Sequence, residues 1–163
     1  WIGSVEVSSL GNIVAVVNED GVFPENGRKT QTTYACFADN GVSDTVNVPL
    51  AKKHFLGNTT GIQVQNVGDG NATITLKYTT KDGKTVTIQN SSPTASGASF
   101  TANEVSNKPS TITVINGSLS DLDGQNLGVV VESTQPIVAI ANEVSYAGGG
   151  KSQDNKNYEG FNR

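Results

Sequence analysis

The sequence predicts an all-β protein, an antiparallel β-sandwich of immunoglobulin-like shape, with a jelly roll as the alternative. Three observations carry this. Several short segments alternate apolar and polar residues, so each has one face suited to burial and one suited to water. No segment shows a convincing period of 3.6 residues. Gly, Pro, Asn and Asp turn signals recur at short intervals between the apolar segments.

The elements follow in order. Ile13-Val14-Ala15-Val16-Val17 is nearly continuously apolar, which suits a strand covered on both faces or central in a sandwich. Residues 20–31 and 39–45 are rich in Gly, Asn and Lys and read as long loops. Gly61-Ile62-Gln63-Val64-Gln65-Asn66 alternates, as do Ala72-Thr73-Ile74-Thr75-Leu76-Lys77-Tyr78-Thr79 and Thr85-Val86-Thr87-Ile88-Gln89. Lys81-Asp82-Gly83-Lys84 separates the last two, and Asp-Gly marks a tight hairpin. Ala98-Ser99-Phe100-Thr101 and Thr111-Ile112-Thr113-Val114-Ile115 supply further strands on either side of a turn region at Pro109. A strand is expected at 127–132, a second continuous apolar run at 137–141, and a third long loop at 145–157.

Part of the chain is repeated. Ile13-Val14-Ala15-Val16-Val17-Asn18-Glu19 returns as Ile137-Val138-Ala139-Ile140-Ala141-Asn142-Glu143. Tyr34-Ala35-Cys36-Phe37 returns at the same offset as Tyr158-Glu159-Gly160-Phe161. Upstream, Gly3-Ser4-Val5 answers Gly128-Val129-Val130, with one residue fewer before the second apolar run. A fixed offset across separate motifs marks a repeated structural unit, and enzymes seldom need their catalytic strands copied. The expected organisation is a segment 1–37 that repeats the C-terminal strands, as a strand donor or the end of a preceding module, followed by a β-sandwich module at 38–163.

Composition bounds the function. The 163 residues and 17.0 kDa suit one well-buried domain. A net charge of −4, with no cluster of Lys or Arg to neutralise phosphates, argues against a nucleic-acid partner. No apolar run approaches the length of a membrane span. The chain has no methionine and begins at Trp1, so a processed, cleaved or truncated product is expected. Only 16% of residues are charged, and the abundance of Thr, Ser, Asn and Gly is typical of β-rich secreted modules, so an extracellular or cell-surface location is expected. The single Cys36 leaves no intrachain disulfide.

Val48-Pro49-Leu50, then Thr60-Gly61-Ile62-Gln63-Val64-Gln65-Asn66-Val67-Gly68, Gly97-Ala98-Ser99-Phe100, and the Gly-x-Val…Pro-Ile-Val-Ala-Ile-x-Asn-Glu run at 128–143 resemble a β-rich module found, often in tandem, in secreted and cell-surface proteins of bacteria. In that module a Tyr-Asn-Gly-Phe-like element follows the Asn-Glu, matched here by Tyr158-Glu159-Gly160-Phe161. The resemblance covers most of the chain, with residues 1–37 matching the end of a preceding module. It implies architecture and location and brings no catalytic residues. Cys36 and the 20–31 segment depart from its pattern.

Catalytic chemistry finds little support in the residues. His54 is the only histidine, so its nucleophilic partner would have to be Cys36, with Asp39 or Asp44 as a third member. A small buried cysteine and a loop-edge histidine explain both residues without chemistry. Glu19, Glu104, Glu132 and Glu143 offer carboxylates, yet no spacing selects a pair, and the repeat-equivalent Glu19 and Glu143 suggest a shared strand-end hydrogen-bonding role. Asp121 and Asp123, in Ser120-Asp121-Leu122-Asp123-Gly124-Gln125-Asn126, form a partial calcium loop that competes with a plain Asp-Gly turn; no other cofactor is expected. Lys77, with Asn18 or Asn142 beside Glu19 or Glu143, is the best-placed donor for an isopeptide crosslink, although alternation puts it on the wetted face. Asn58, Asn71, Asn90 and Asn116 head glycosylation sequons.

The function expected is therefore structural and non-enzymatic: a subunit or module of an extracellular filament or surface layer, assembled head to tail through β-strand contacts. Ile2, Val5, Val7, Ile13, Val14 and Val16 are the candidate donor residues, with 1–12 the part freest to move. The alternative is a carbohydrate-binding or adhesion module recognising a surface glycan. Aromatic content of 6%, with Trp1, Tyr78, Tyr146 and Tyr158 scattered, provides no evident stacking platform and ranks it second.

Overall fold

A computed structural model describes residues 5–22, 27, 29–38, 41–103, 111–147 and 151–162, and in it the chain is all-β with antiparallel sheets. The strands are β1 (Val16–Val22), β2 (Lys29–Ala35), β3 (Ser43–Lys53), β4 (Asn58–Asn66), β5 (Ile74–Thr80), β6 (Thr85–Asn90), β7 (Ser99–Asn103), β8 (Ile112–Asn116), β9 (Gln125–Ala147), β10 (Lys151–Glu159) and β11 (Phe161–Asn162). β1 and β2 form a sheet of their own, and the other nine form one sheet that curls into a half-barrel.

β9 organises the larger sheet. Its first stretch lies between β3 and β5, where Val131 stands opposite Val46 on one side and Leu76 on the other. Its second stretch lies between β4 and β10, where Ala141 stands opposite Ile62 and Tyr158. The change of partners falls at residues 134–136, after Ser133 pairs with Ile74 and before Ile137 pairs with Asn66. Pro136 has no N–H to offer a ladder, so this gap is where a strand can accept it. Its carbonyl still takes the Val67 N–H at 2.9 Å. One strand thus carries two rows, β11-β3-β9-β5-β6-β8 and β7-β4-β9-β10.

Period-2 alternation fills the space between the rows. Leu127, Val129, Val131, Ile137, Ala139 and Ala141 of β9 join Val46, Val48, Ile62, Val64, Ile74, Leu76, Tyr78, Val86, Ile88, Phe100 and Ala102 in one buried cluster. Burying a branched aliphatic side chain stabilises by about 1.5–3 kcal/mol. The β5–β6 hairpin turns where Asp82-Gly83 predicts: Gly83 sits at φ +83°, and its N–H donates to Thr80 O at 3.0 Å.

Three expected loops are partly strand. Residues 20–22 and 29–31 belong to the β1–β2 hairpin, 43–45 open β3, and 145–147 and 151–157 lie in the β9–β10 hairpin. These pieces are mostly polar residues and glycine, so their sequences show no apolar alternation. The run 137–141 is buried as expected, with Ile140 half-buried, but its copy at 13–17 is not covered on both faces: regular strand begins only at Val16, and Ile13 and Val14 are exposed.

Candidate functional site

The duplicated segments adopt the same structure. β1 pairs with β2 as Val16 to Ala35, Val17 to Tyr34, Asn18 to Thr33 and Glu19 to Thr32. β9 pairs with β10 as Ile140 to Glu159, Ala141 to Tyr158, Asn142 to Asn157 and Glu143 to Lys156. Each residue of the first set lies 124 positions before its counterpart, as Val16 does before Ile140 and Ala35 before Glu159. The hydrogen bond that closes each hairpin is copied too: Cys36 N–H donates to Ala15 O at 3.0 Å, and Gly160 N–H donates to Ala139 O at 2.9 Å. Continued upstream at that offset, Val5, Val7 and Ser9 fall on Val129, Val131 and Ser133 without the one-residue gap that the Gly3-Ser4-Val5 match suggests.

The two copies differ in what covers them. The C-terminal copy has β4 along the other edge of β9, and its inward residues are core. Among the described residues, β1 pairs with β2 alone. Val14 is accordingly 96% exposed where Val138 is 7%, and Val5 is 74% exposed where Val129 is 3%. Val7, Ile13 and Val16 are exposed as well, while Ile2 lies outside the described residues.

Polar contacts hold the N-terminal hairpin against β10. Ala35 N–H donates to Glu159 Oε1 at 2.9 Å, and Asn157 Nδ2 donates to Thr32 Oγ1 at 2.8 Å and to Glu19 Oε2 at 3.3 Å. Within the hairpin, Thr33 Oγ1 donates to Asn18 Oδ1 at 2.9 Å. Partial burial, then the Glu19 carboxylate and Cys36, push the Tyr34 hydroxyl above its ordinary pKa. Glu19 and Glu143 therefore both make side-chain contacts, but different ones. Glu143 is buried and meets Lys52 Nζ at 2.9 Å.

The other candidates are dispersed. Asp123 Oδ1 lies 2.6 Å from Nδ1 of His54, whose backbone is left-handed at φ 50°, and both side chains are more than half exposed. Asp121 is exposed on the 3₁₀ turn Leu119–Leu122, where its N–H donates to Ser118 O. Cys36 is exposed just after β2, Asp44 is exposed in β3, and Asp39 and Glu104 lie outside the described residues. Glu132 and Lys77 are exposed on β9 and β5. Among the described residues, no three His, Cys, Asp or Glu side chains come together.

The sequons divide by burial. Asn71 and Asn116 are exposed, and Asn58 Nδ2 donates to Leu56 O at 3.1 Å. Asn90 is buried: its Nδ2 donates to Ala72 O and Thr94 Oγ1, both at 3.1 Å, and its Oδ1 accepts from Ile74 N–H at 2.9 Å. A glycan on that nitrogen would replace one of the two N–H donors that these buried hydrogen bonds use.

Sequence reasoning passes over several of these groups. Asn66 is fully buried, donating from Nδ2 to Gly70 O at 2.7 Å and Thr94 O at 2.9 Å while Oδ1 accepts from Gly68 N–H at 3.0 Å. Lys53 is buried and donates to Leu119 O at 2.9 Å. The signal for both asparagines lies in the alternation itself: Asn66 and Asn90 continue the inward parity of Ile62-Val64 and Val86-Ile88. Nothing in the local sequence marks Lys53.

No family model and no curated protein matches the chain. Among solved structures it is similar to the "Crystal Structure of Thermotoga maritima 1070", at 14% identity over 73% of this chain and 93% of that one, with a TM-score of 0.48.

Proposed function

We propose that the chain is a structural module of an extracellular or cell-surface protein, an immunoglobulin-like sandwich built to stand in series with others of its kind. The supporting observation is the copied hairpin. A hairpin that closes the module at its C-terminal end recurs at its N-terminal end in the same register, and there it is seated on β10 through Glu159 and Asn157. In this reading the seat is the joint between one unit and the next, and units run head to tail. The slot beside β4 is already filled by β9, so intact modules extend the series at this joint rather than by exchanging central strands.

The experiment is electron microscopy of three modules of residues 38–163 expressed as one polypeptide, with Lys156→Thr so that each hairpin offers the next module's Asn157 the hydroxyl that Thr32 offers here. Straight, evenly spaced rods are expected. Asn157→Ala with Glu159→Ala should turn them into bent chains of beads, while each module melts within about 1 kcal/mol of the parent, because these contacts are exposed or only part-buried. Rods indifferent to the double substitution, or beads already bent in the parent, would count against the reading. Glycan-array binding by chains showing no ordered spacing would favour the adhesion alternative.

A further inference from the structure

We infer that residues 5–22 and 29–37 are the closing hairpin of another module, and that their partner is a module body of the same architecture whose own β9–β10 hairpin is absent. The inference rests on the module reading above. It starts from the exposed apolar side chains of Val5, Val7, Ile13 and Val14, which this chain leaves in water.

The C-terminal copy supplies the template for what covers them. There the residues equivalent to Val5 and Val7 are Val129 and Val131, held between β3 and β5; the residues equivalent to Ile13 and Val14 are Ile137 and Val138, paired to Asn66 and Gln65 of β4. One occupant satisfies both regions at once: a body presenting strands of the β3, β5 and β4 kind in that arrangement. A lone extended peptide covers only one edge, and a second intact copy has the slot filled by its own β9.

The copies also differ in a way that defines the partner. Cys36 replaces Gly160, and Val17 replaces Ala141. A Cβ at Gly160 would overlap Val46 Cγ1 and lie 3.3 Å from Ala139 O, and Ala141 is fully buried. The N-terminal hairpin is therefore bulkier than its counterpart at two packed positions. Its cognate body is a related module with smaller residues there, including one smaller than Val46 facing Cys36, rather than a duplicate of this one.

Two measurements on the full chain test this. The first replaces residues 141–160 with residues 17–36; with Val17→Ala and Cys36→Gly in the graft the chain should fold and melt cooperatively, and with native Val17 and Cys36 its folded-to-unfolded ratio in urea should fall at least tenfold. The second replaces residues 129–140 with residues 5–16; the graft should fold, with a strand-type circular dichroism spectrum and cooperative melting, and lose that fold when Val5→Asp and Val7→Asp are added in the grafted segment. A second graft that is unfolded, a first graft that is unfolded even with the smaller residues, or one equally stable with either pair, overturns the inference. So does concentration-dependent self-association of the native full chain that Val5→Asp abolishes, since the occupant would then be an intact copy. None of these outcomes depends on rod formation, so the series reading and this one can fail separately.

Discussion

Replacing Asn66 with alanine should cost the fold a large share of its stability. The amide is fully buried and makes three hydrogen bonds, of which those to Thr94 O and from Gly68 N–H are themselves buried. Alanine strands the Gly68 N–H, at about 1–3 kcal/mol, whereas Thr94 O keeps the Ala72 N–H at 2.8 Å, so losing the amide there costs about 0.5–1.5 kcal/mol. The sum is about 1.5–4.5 kcal/mol, against about 5–15 kcal/mol for a whole domain. With a urea slope of about 2 kcal/mol per molar, the midpoint falls by about 0.8–2 M. Urea titration followed by circular dichroism measures it directly. Asn66→Asp is a sharper probe, because it turns a carboxylate toward the Gly70 and Thr94 carbonyls: the loss should exceed that of alanine at neutral pH and shrink as the acid is protonated. A midpoint within about 0.3 M of the parent for Asn66→Ala, equivalent to about 0.6 kcal/mol at that slope, would refute the claim that this amide fastens the β4 end to the segment carrying Thr94.

Other outcomes follow from the same geometry. Glu143→Gln should destabilise by about 2–3 kcal/mol, below the about 3–5 kcal/mol of a fully buried pair because Lys52 keeps some solvent, and Glu143→Leu with Lys52→Met should recover most of it in thermal melts. Gly160→Ala should cost about 1–3 kcal/mol through the overlap with Val46, and Val46→Ala in the same chain should relieve part of that cost. The Thr80 hydroxyl bond, followed by weaker contributions from the backbone and Lys84, holds the Asp82 carboxyl below its ordinary pKa. A depressed folded-state pKa stabilises above the unfolded value and fades as pH falls through the folded one, so parent and Asp82→Asn should differ slightly at neutral pH and converge in acid.

Much of the strand content is legible because alternation and burial coincide in β4, β5 and β6. β3 is hidden. Pro49 and Leu50 sit in a bulge between the pairs Val48–Val129 and Ala51–Leu127, and this breaks the period-2 pattern just where Pro and two lysines suggest a loop. Lys53 is inward because Leu119 O lies within its reach, a fact fixed by a segment 66 residues away. β9 reads as two strands because its middle is polar and holds Pro136, whereas in the fold those residues occupy the gap between one set of partners and the next. The repeat is visible as letters, but its differing exposure is not: identical local pairing says nothing about which neighbours lie beyond the open edge. Asn90 shows the opposite failure, where a surface motif falls on an inward position.

The long strand β9 has a consequence for the order of folding. Among the described residues, β3 finds its ladders only with β9 and β11, and β4 only with β7 and β9. During synthesis the meander β5-β6-β8 and the β4–β7 pair have local partners, but neither can join the other, or β3, until residues 125–147 have left the ribosome. Non-local pairing of this kind is slow, because loop closure must precede any gain from contact. Until then the inward faces of Ile62, Val64, Ile74 and Leu76 await their cover. A chain arrested at Gly124 should bind hydrophobic dyes and holdase chaperones, and one released after Ala147 should not, which places the commitment to the fold in the synthesis of β9.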